Sequence, residues 1–301
     1  MSLFRTGLAG LIFFTSVAPS SDAMASNAPK AEAKAVIVLD PGHGGHDIGA
    51  SNDEAMESEI ALKITKLVGD RLEKAGLKVI YTREKDESVS LEKRALIANR
   101  AKADLFVSIH LNSSTDARAH GKEFYFQNQV PADEESLFLA NRENHEPASQ
   151  DLNNDRVALA GLRQAEASRL PEVSIENSRV RHDVKSILED LDRSARVKFS
   201  SELAIQLNNE WNKAAPLAGV NKTSSRSIRQ APFFLVSHVA MPSVLVEVGF
   251  LSHKREGARL KQEAYQTALA DSLAAGIHKW TNLSGLSGSS LSGLTVTQPA
   301  P

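Results

Sequence analysis

Short apolar runs alternate with longer amphipathic segments along most of the chain. Six runs are rich in β-branched, aliphatic or aromatic residues and lie between helix-like or turn-rich segments, a pattern that predicts strands. The predicted strands are Val36–Leu39, Lys78–Tyr81, Leu105–His110, Glu123–Phe126, Phe233–Val236 and Val244–Val248. Because strands that alternate with helices are typical of an α/β sheet, we predict one α/β domain. Its sheet should have six strands, mostly parallel or mixed, with helices on both faces.

Four segments carry apolar residues at the spacing of one helix face. They are Ile60–Ala75, Leu91–Ala103, Val184–Trp211 and Tyr265–Trp280. Gly76 ends the first of these helices, because glycine readily adopts the left-handed conformation that follows a helix. Ser90 precedes the second and is a suitable N-cap.

The ends of the chain differ from the middle. Arg5, the apolar run Leu8–Val17 and the triplet Ala23–Ala25 follow the order of a Sec-type signal peptide, so we predict a signal over residues 1–25 and an exported protein. The alternative is an uncleaved membrane anchor, but the apolar run is too short for a bilayer. We predict a linker over 26–34, a catalytic domain over 35–281 and a disordered Ser/Gly-rich tail over 282–301.

Residues 128–183 interrupt this α/β pattern. The segment is polar and charged, with weak helical pieces and no clear strand. It is too long for an ordinary connection between a strand and a helix, so we interpret it as an insertion.

Composition restricts the chemistry. The chain has 35 basic and 37 acidic residues, and this balance gives no reason to expect binding to nucleic acid or to an anionic membrane. There is no cysteine, which excludes disulfides, thiolate metal sites and a cysteine nucleophile. Any metal ion must therefore be bound by His, Asp or Glu.

Two histidines follow predicted strands at the carboxyl edge of the sheet, where open α/β sheets place their ligands. His43 lies in the Gly-rich loop after the first strand, and His110 ends the third. Glu57 and Glu59 lie in the first turn of the next helix. Two imidazoles, one carboxylate and an open position form the ligand set of a catalytic zinc site. Alternatively, the histidines form ordinary hydrogen bonds and the glutamates only complement the helix N-terminus.

Glu247 is an acidic residue inside an otherwise apolar predicted strand. A buried carboxylate is unfavourable unless a cation or hydrogen bonds satisfy it. Glu247 could thus face the metal and act as a general base toward the attacking water. The alternative is a structural ion pair with Arg83 or another basic residue.

Four motifs, in order, resemble the zinc-dependent N-acetylmuramoyl-L-alanine amidases of the amidase type 3 family, of the periplasmic cell-division type. They are "VLDPGHGGHDIGA", "ESEIAL", "SLEKRALIANRAKADLFVSIHLNSS" and "MPSVLVEVGFLS". The resemblance covers residues 36 to about 280. It implies that His43, Glu57 and His110 bind zinc (Zn2+) and that Glu247 is catalytic. It leaves Glu59 as a weaker alternative ligand and His46 outside the metal set.

The family's reaction is hydrolysis of the amide between N-acetylmuramic acid and L-alanine of the peptidoglycan stem peptide. The resemblance implies a monomer with a role in wall remodelling and daughter-cell separation. It also implies that the insertion 128–183 covers the zinc until a protein activator displaces it. The candidate blocking carboxylates are Glu134, Glu143, Glu146, Glu166, Glu172 and Glu176. The alternative is a solvated loop with no regulatory role.

Two other functions compete with this interpretation. A non-catalytic wall-binding protein would require a broken metal set, whereas all four positions carry the expected residue types. A phosphate-binding enzyme could use the "GHGG" loop, but the loop is not followed by Gly-Lys-Ser/Thr.

Overall fold

The structure, a computed structural model, describes residues 34–52, 54–127, 133–145, 152–167, 178–214 and 227–285. The predicted signal peptide lies outside these residues, as do most of the predicted linker and tail. Among the described residues, no helix is both long enough and apolar enough to span a membrane.

Eight strands and eight helices form within the described residues. The strands are β1 (Val36–Pro41), β2 (Ser51–Asn52), β3 (Ala55–Met56), β4 (Lys78–Tyr81), β5 (Leu105–Asn112), β6 (Glu123–Gln127), β7 (Ile228–Ala231) and β8 (Ser243–Phe250). The helices are α1 (Glu57–Lys74), α2 (Leu91–Ala101), α3 (Glu134–Glu143), α4 (Leu152–Ala167), α5 (Ser178–Lys213), α6 (Phe234–His238), α7 (Lys254–Leu260) and α8 (Glu263–Leu283).

Six strands form one mixed sheet in the order β4-β1-β5-β8-β6-β7. Strand β6 is antiparallel to β8, and every other neighbouring pair is parallel. The central strands β5 and β8 are buried along their whole length, as expected for parallel strands covered on both faces. This confirms the predicted α/β class and the mixed six-stranded sheet. The short pair β2–β3 forms a separate antiparallel sheet.

Both faces of the sheet are covered by helices. On one face, Leu39 and Val246 belong to a buried cluster with residues of α1, α5 and α8. On the other face, Phe106 packs with residues of α2 and α6, and Tyr125 packs with residues of α3. The alternating inward and outward positions of the strands therefore fill two separate layers of core.

The prediction of a strand at Phe233–Val236 is wrong. This stretch begins helix α6, and the edge strand is instead the more polar Ile228–Ala231. The side chains of Phe233 and Val236 both enter the cluster around Tyr125. Residues three apart share a helix face but lie on opposite faces of a strand, so only a helical turn buries both.

The insertion contributes three helical segments where the structure describes it: α3, α4 and the first residues of α5. Helix α3 begins at the N-cap Asp133, whose carboxylate accepts a hydrogen bond from the Ser136 amide at 2.8 Å. Leu139 and Ala140 bury one side of α3 against the β6–β8 part of the sheet. The insertion is therefore packed on the domain at α3.

Candidate metal centre

The loop after β1 turns sharply, and its conformation aims the side chain of His43. His43 has a φ of 53°, a left-handed value that is unusual for a residue with a Cβ. Gly44 and Gly45 follow with φ of 126° and 64°. A Cβ added at Gly42 would lie 2.6 Å from the ring of His110. The glycines thus allow both the reversal of the chain and the close approach of the second histidine.

Two buried arginines hold this loop by binding its backbone carbonyl groups. Arg94 donates to the carbonyl oxygens of Pro41 at 2.6 Å and His43 at 2.7 Å. Arg83 donates to the carbonyls of Pro41 at 3.1 Å and Gly42 at 2.6 Å. The carbonyl groups of a tight turn are thereby satisfied without water, which fixes the unusual backbone of His43.

Asp40 provides the negative charge beneath these arginines. Its carboxylate accepts hydrogen bonds from Arg94 at 2.8 Å, from Ser108 at 2.6 Å and from Thr82. Burial would raise the pKa of Asp40, but the charge of Arg94 and these donors hold it below its usual value. The ion pair therefore stays charged inside the protein.

Three side chains named by the sequence analysis converge above this loop: His43, Glu57 and His110. Glu57 Oε1 lies 3.2 Å from His43 Nε2 and 3.1 Å from His110 Nδ1. Glu57 is the first residue of α1, and its carboxylate also accepts the amides of Ala50 at 2.7 Å and Leu111 at 2.8 Å. The carboxylate is therefore oriented by the backbone around it.

Glu143, the last residue of α3, supplies a fourth donor atom from the insertion. Its Oε2 lies 3.2 Å from His43 Nε2 and 3.3 Å from His110 Nδ1. Its Oε1 accepts from Arg142 Nε at 2.9 Å, and Arg142 also donates to the Ser113 carbonyl at 3.1 Å. Helix α3 therefore ends with a carboxylate inside the cluster.

The separations between these four donor atoms test whether a metal ion fits. Four of the six pairs are 3.1–3.3 Å apart. Ligands at about 2.0–2.1 Å from a tetrahedral zinc ion lie about 3.3 Å from one another. Within the described residues, the buried atoms His43 Nε2 and Glu143 Oε2 have no hydrogen-bond partner. Two unpartnered buried acceptors beside the Glu57 carboxylate and His110 fit a bound cation.

An outer contact orients the first histidine. Asp47 Oδ2 lies 2.7 Å from His43 Nδ1 and so leaves Nε2 directed at the cluster. Metal-binding histidines commonly make such a bond through their other ring nitrogen, which fixes the tautomer. The sequence analysis did not identify Asp47. The signal was an acidic residue four positions after His43 in the same loop.

Opposite charges inside the cluster shift its pKa values strongly. Burial would raise the pKa of Glu57, but the charge of His43 and contacts with His110 lower it to about 2. Burial would lower the pKa of His110, but Glu143 and Glu57 raise it to about 9. A cation that binds here therefore replaces imidazole protons among fixed carboxylates.

Glu247 lies beside the cluster on β8, directly opposite His110 of β5 in the sheet register. One of its oxygens is within 4.8 Å of donor atoms of His110 and Glu143. Both oxygens are buried and have no hydrogen-bond partner among the described residues. Burial raises the pKa of Glu247 well above its usual range. The suggested partner Arg83 binds backbone carbonyls instead.

Other candidates lie outside the cluster. Glu59 is exposed on α1, and His46 is near Ser88, with its Nδ1 3.3 Å from the hydroxyl oxygen. Of the six insertion carboxylates, Glu143 reaches the cluster, whereas Glu134 is exposed at the other end of α3. The remaining four side chains, of Glu146, Glu166, Glu172 and Glu176, are outside the described residues.

Comparison with known proteins identifies the family of the chain. The family model Amidase_3, N-acetylmuramoyl-L-alanine amidase, matches residues 37–279. The chain is 31% identical over 252 residues to N-acetylmuramoyl-L-alanine amidase AmiA of Escherichia coli K12, covering 83% of this chain and 77% of AmiA. It is 29% identical to AmiC of Escherichia coli O6:H1, over 80% of this chain and 52% of AmiC. The chain thus spans about half the length of that AmiC.

A solved structure supports the same assignment. N-acetylmuramoyl-L-alanine amidase AmiC2 of Nostoc punctiforme superposes with a TM-score of 0.55 at 25% identity, covering 83% of this chain and 99% of AmiC2. The family model and these relatives define the class of the protein as an amide hydrolase with a mixed α/β fold. The chain belongs to the Amidase_3 family of N-acetylmuramoyl-L-alanine amidases, which confirms the family predicted from the motifs.

The support of the His43 loop by Arg94 generates a stability prediction. Replacing Arg94 by Leu removes the cation beside buried Asp40 and the donor to two loop carbonyls. We expect the free energy of unfolding, measured with urea, to fall by about 3–5 kcal/mol. Arg100→Leu, on the exposed side of the same helix, should change it by about 0.5 kcal/mol or less. Equal effects of the two changes would contradict a supporting role for Arg94.

Proposed function

We propose that the chain is a zinc-dependent peptidoglycan hydrolase that cleaves the amide between N-acetylmuramic acid and L-alanine of the stem peptide. The observation that carries this proposal is the set of donor atoms with near-tetrahedral separations beside the buried carboxylate of Glu247. His43, Glu57 and His110 would hold the ion. When bound, zinc supplies a Lewis acid that polarises a carbonyl and makes water more acidic.

Glu247 is the general base in this mechanism. It takes a proton from the attacking water and passes it to the amine that leaves with L-alanine. A base works best when its pKa lies near the working pH, and burial raises the pKa of Glu247 in that direction. Asp47 holds the His43 ring in its ligating orientation throughout.

We also propose that the conformation described here is inhibited. In it, Glu143 fills the position that a catalytic site leaves open for substrate. Helix α3 keeps this carboxylate in place. At its end, Asn144 donates to the Pro232 carbonyl at 3.0 Å and accepts from the Phe234 amide at 2.6 Å. A protein activator that displaces α3 would open the site.

Two observations support a cellular setting for this activity. The N-terminal sequence pattern supports export to the periplasm, where peptidoglycan is available. A relative of the same fold, the CwlD amidase of Clostridioides difficile, was solved in complex with the GerS lipoprotein, at 24% identity and a TM-score of 0.56. We propose a role in wall remodelling and daughter-cell separation.

Metal content tests the ligand assignment. We expect purified protein to contain about one zinc ion per chain, because the cluster supplies the donors of a single site. His43→Ala and His110→Ala should each lose it in elemental analysis. His46→Ala should retain it, since that side chain lies in the same loop but outside the cluster. Full zinc content in both ligand variants would refute the site.

Substitution of the base tests the mechanism. Glu247→Gln should retain zinc and fold, but its release of stem peptides from purified sacculi should fall by about 10²–10⁴, because an amide cannot accept the proton from water. Glu59→Gln, an exposed change, should release peptides at the normal rate. A zinc-loaded Glu247→Gln protein with near-normal release would show that Glu247 is structural. Intact metal content without any release, by the parent protein or by a chain with residues 128–183 replaced by a short linker, would favour the wall-binding alternative.

Release of inhibition tests the role of α3. Glu143→Gln keeps the shape of the side chain but weakens its hold on a cation, so we expect hydrolysis to rise about tenfold or more at equal zinc content. Glu134→Gln, at the exposed end of the same helix, should leave the rate unchanged. A chain with residues 128–183 replaced by a short Gly/Ser linker should also be faster. Folded variants no faster than the parent would rule out inhibition by the insertion.

A further inference from the structure

The guanidinium of Arg229 lies between two groups of carboxylates on the face of the sheet that carries α3. On one side, its Nη2 is 3.0 Å from Glu123 Oε1. On the other, its Nη1 is 3.2 Å from Asp133 Oδ2 and 3.1 Å from Glu135 Oε2. The side chain is 11% exposed. Glu123 belongs to the sheet, whereas Asp133 and Glu135 belong to the insertion.

The contact with Glu123 joins two neighbouring strands of the sheet, β6 and β7. Glu123 is paired with Glu247 in the register of β6 and β8, so it adjoins the catalytic edge. Its Oε2 also accepts from Tyr125 at 2.9 Å and from Asn112 at 3.0 Å. These bonds do not involve the insertion. Because Glu123, Tyr125 and Asn112 all belong to the sheet, the ion pair between Glu123 and Arg229 would remain when α3 is displaced.

The Asp133 and Glu135 contacts come from the first turn of α3, the helix whose last residue is Glu143. A helix of this length rises about 15 Å. The distance across the sheet from β5 to β7 is similar to this helix length, because three strand spacings of about 4.8 Å separate the two strands. Helix α3 thus places one carboxylate at the metal cluster and two at Arg229, on the same face of the sheet.

We propose that Arg229 binds a carboxylate of the stem peptide once α3 has left, and that Asp133 and Glu135 occupy this subsite in the inhibited state. This inference rests on the proposed function. About 15 Å corresponds to four or five residues of an extended peptide at about 3.3–3.6 Å each. A stem peptide of that length, bound with its muramoyl amide at the metal cluster, ends in a free carboxylate near Arg229.

The residue type fits this role. A guanidinium presents parallel donors that bind a carboxylate in two contacts, which a lysine cannot reproduce. Glu123 engages one edge of Arg229 and leaves its other edge directed toward α3. If Arg229 served only to hold α3, the enzyme would show no preference for a terminal carboxylate after α3 was released.

The test separates substrate binding from release of α3. The background is the full chain with Asp133→Asn and Glu135→Gln, which weakens the hold of Arg229 on α3 while keeping an N-cap residue. The substrates are a soluble N-acetylmuramoyl pentapeptide and the same compound with a C-terminal carboxamide. We expect the background protein to favour the carboxylate by about tenfold in KM, with similar kcat for both.

Adding Arg229→Gln to this background should raise KM for the carboxylate substrate to that of the carboxamide and leave kcat unchanged. Arg229→Lys keeps a cation beside buried Glu123 and should retain only part of the preference. If circular dichroism shows that the Arg229→Gln variant does not fold, the Arg229→Lys variant is compared with the background protein instead. An unchanged preference in both variants, or none in the background, would overturn the subsite. Absence of hydrolysis of either substrate by every one of these proteins, and also by the chain with residues 128–183 replaced by a Gly/Ser linker, would instead refute the proposed function.

Discussion

The carbonyl groups of the loop after β1 point into the protein, and the candidate metal centre depends on how they are satisfied. Arg83 and Arg94 bind them from below, and Asp40 pairs with Arg94, whose charge holds the pKa of the buried Asp40 carboxyl below its usual value. This arrangement stabilises the left-handed backbone of His43, which glycine neighbours permit but do not enforce. Chemistry at the sheet edge therefore relies on a buried ion pair one layer beneath it.

The sequence identifies much of the fold because buried parallel strands are nearly continuous apolar runs. Strand Val36–Pro41 and the central strands Leu105–Asn112 and Ser243–Phe250 follow this rule. Phe233–Val236 is an apolar run that forms part of a helix instead. A short apolar run has the same composition whether it buries one side of a helix or both faces of a strand. The true edge strand at Ile228–Ala231 is polar and so gives no such signal.

Some residues of the site can be predicted from the sequence, and others cannot. His43, Glu57 and His110 lie at strand or helix ends whose positions are fixed by topology, so the pattern places them together. Glu143 is one of six similar carboxylates in the insertion, and its position depends on how α3 packs against Tyr125 and Phe233. Arg229 is harder still to find, since its partners are brought together by sheet register and by a helix from a distant part of the chain.

Glu143 changes the class of site that the cluster represents. With four protein donors the cluster would give a zinc ion the closed coordination of a structural site, and with three it would give the open coordination of a catalytic one. Under the proposed function, the two states are linked by a thermodynamic cycle, because the coupling between ion and helix acts equally in both directions. Docked α3 would raise the affinity of the site for zinc, and bound zinc would stabilise the docked position of α3. The resting enzyme would then be the form that retains its metal best when zinc is scarce, and opening would always compete with the affinity of the ion for its fourth ligand.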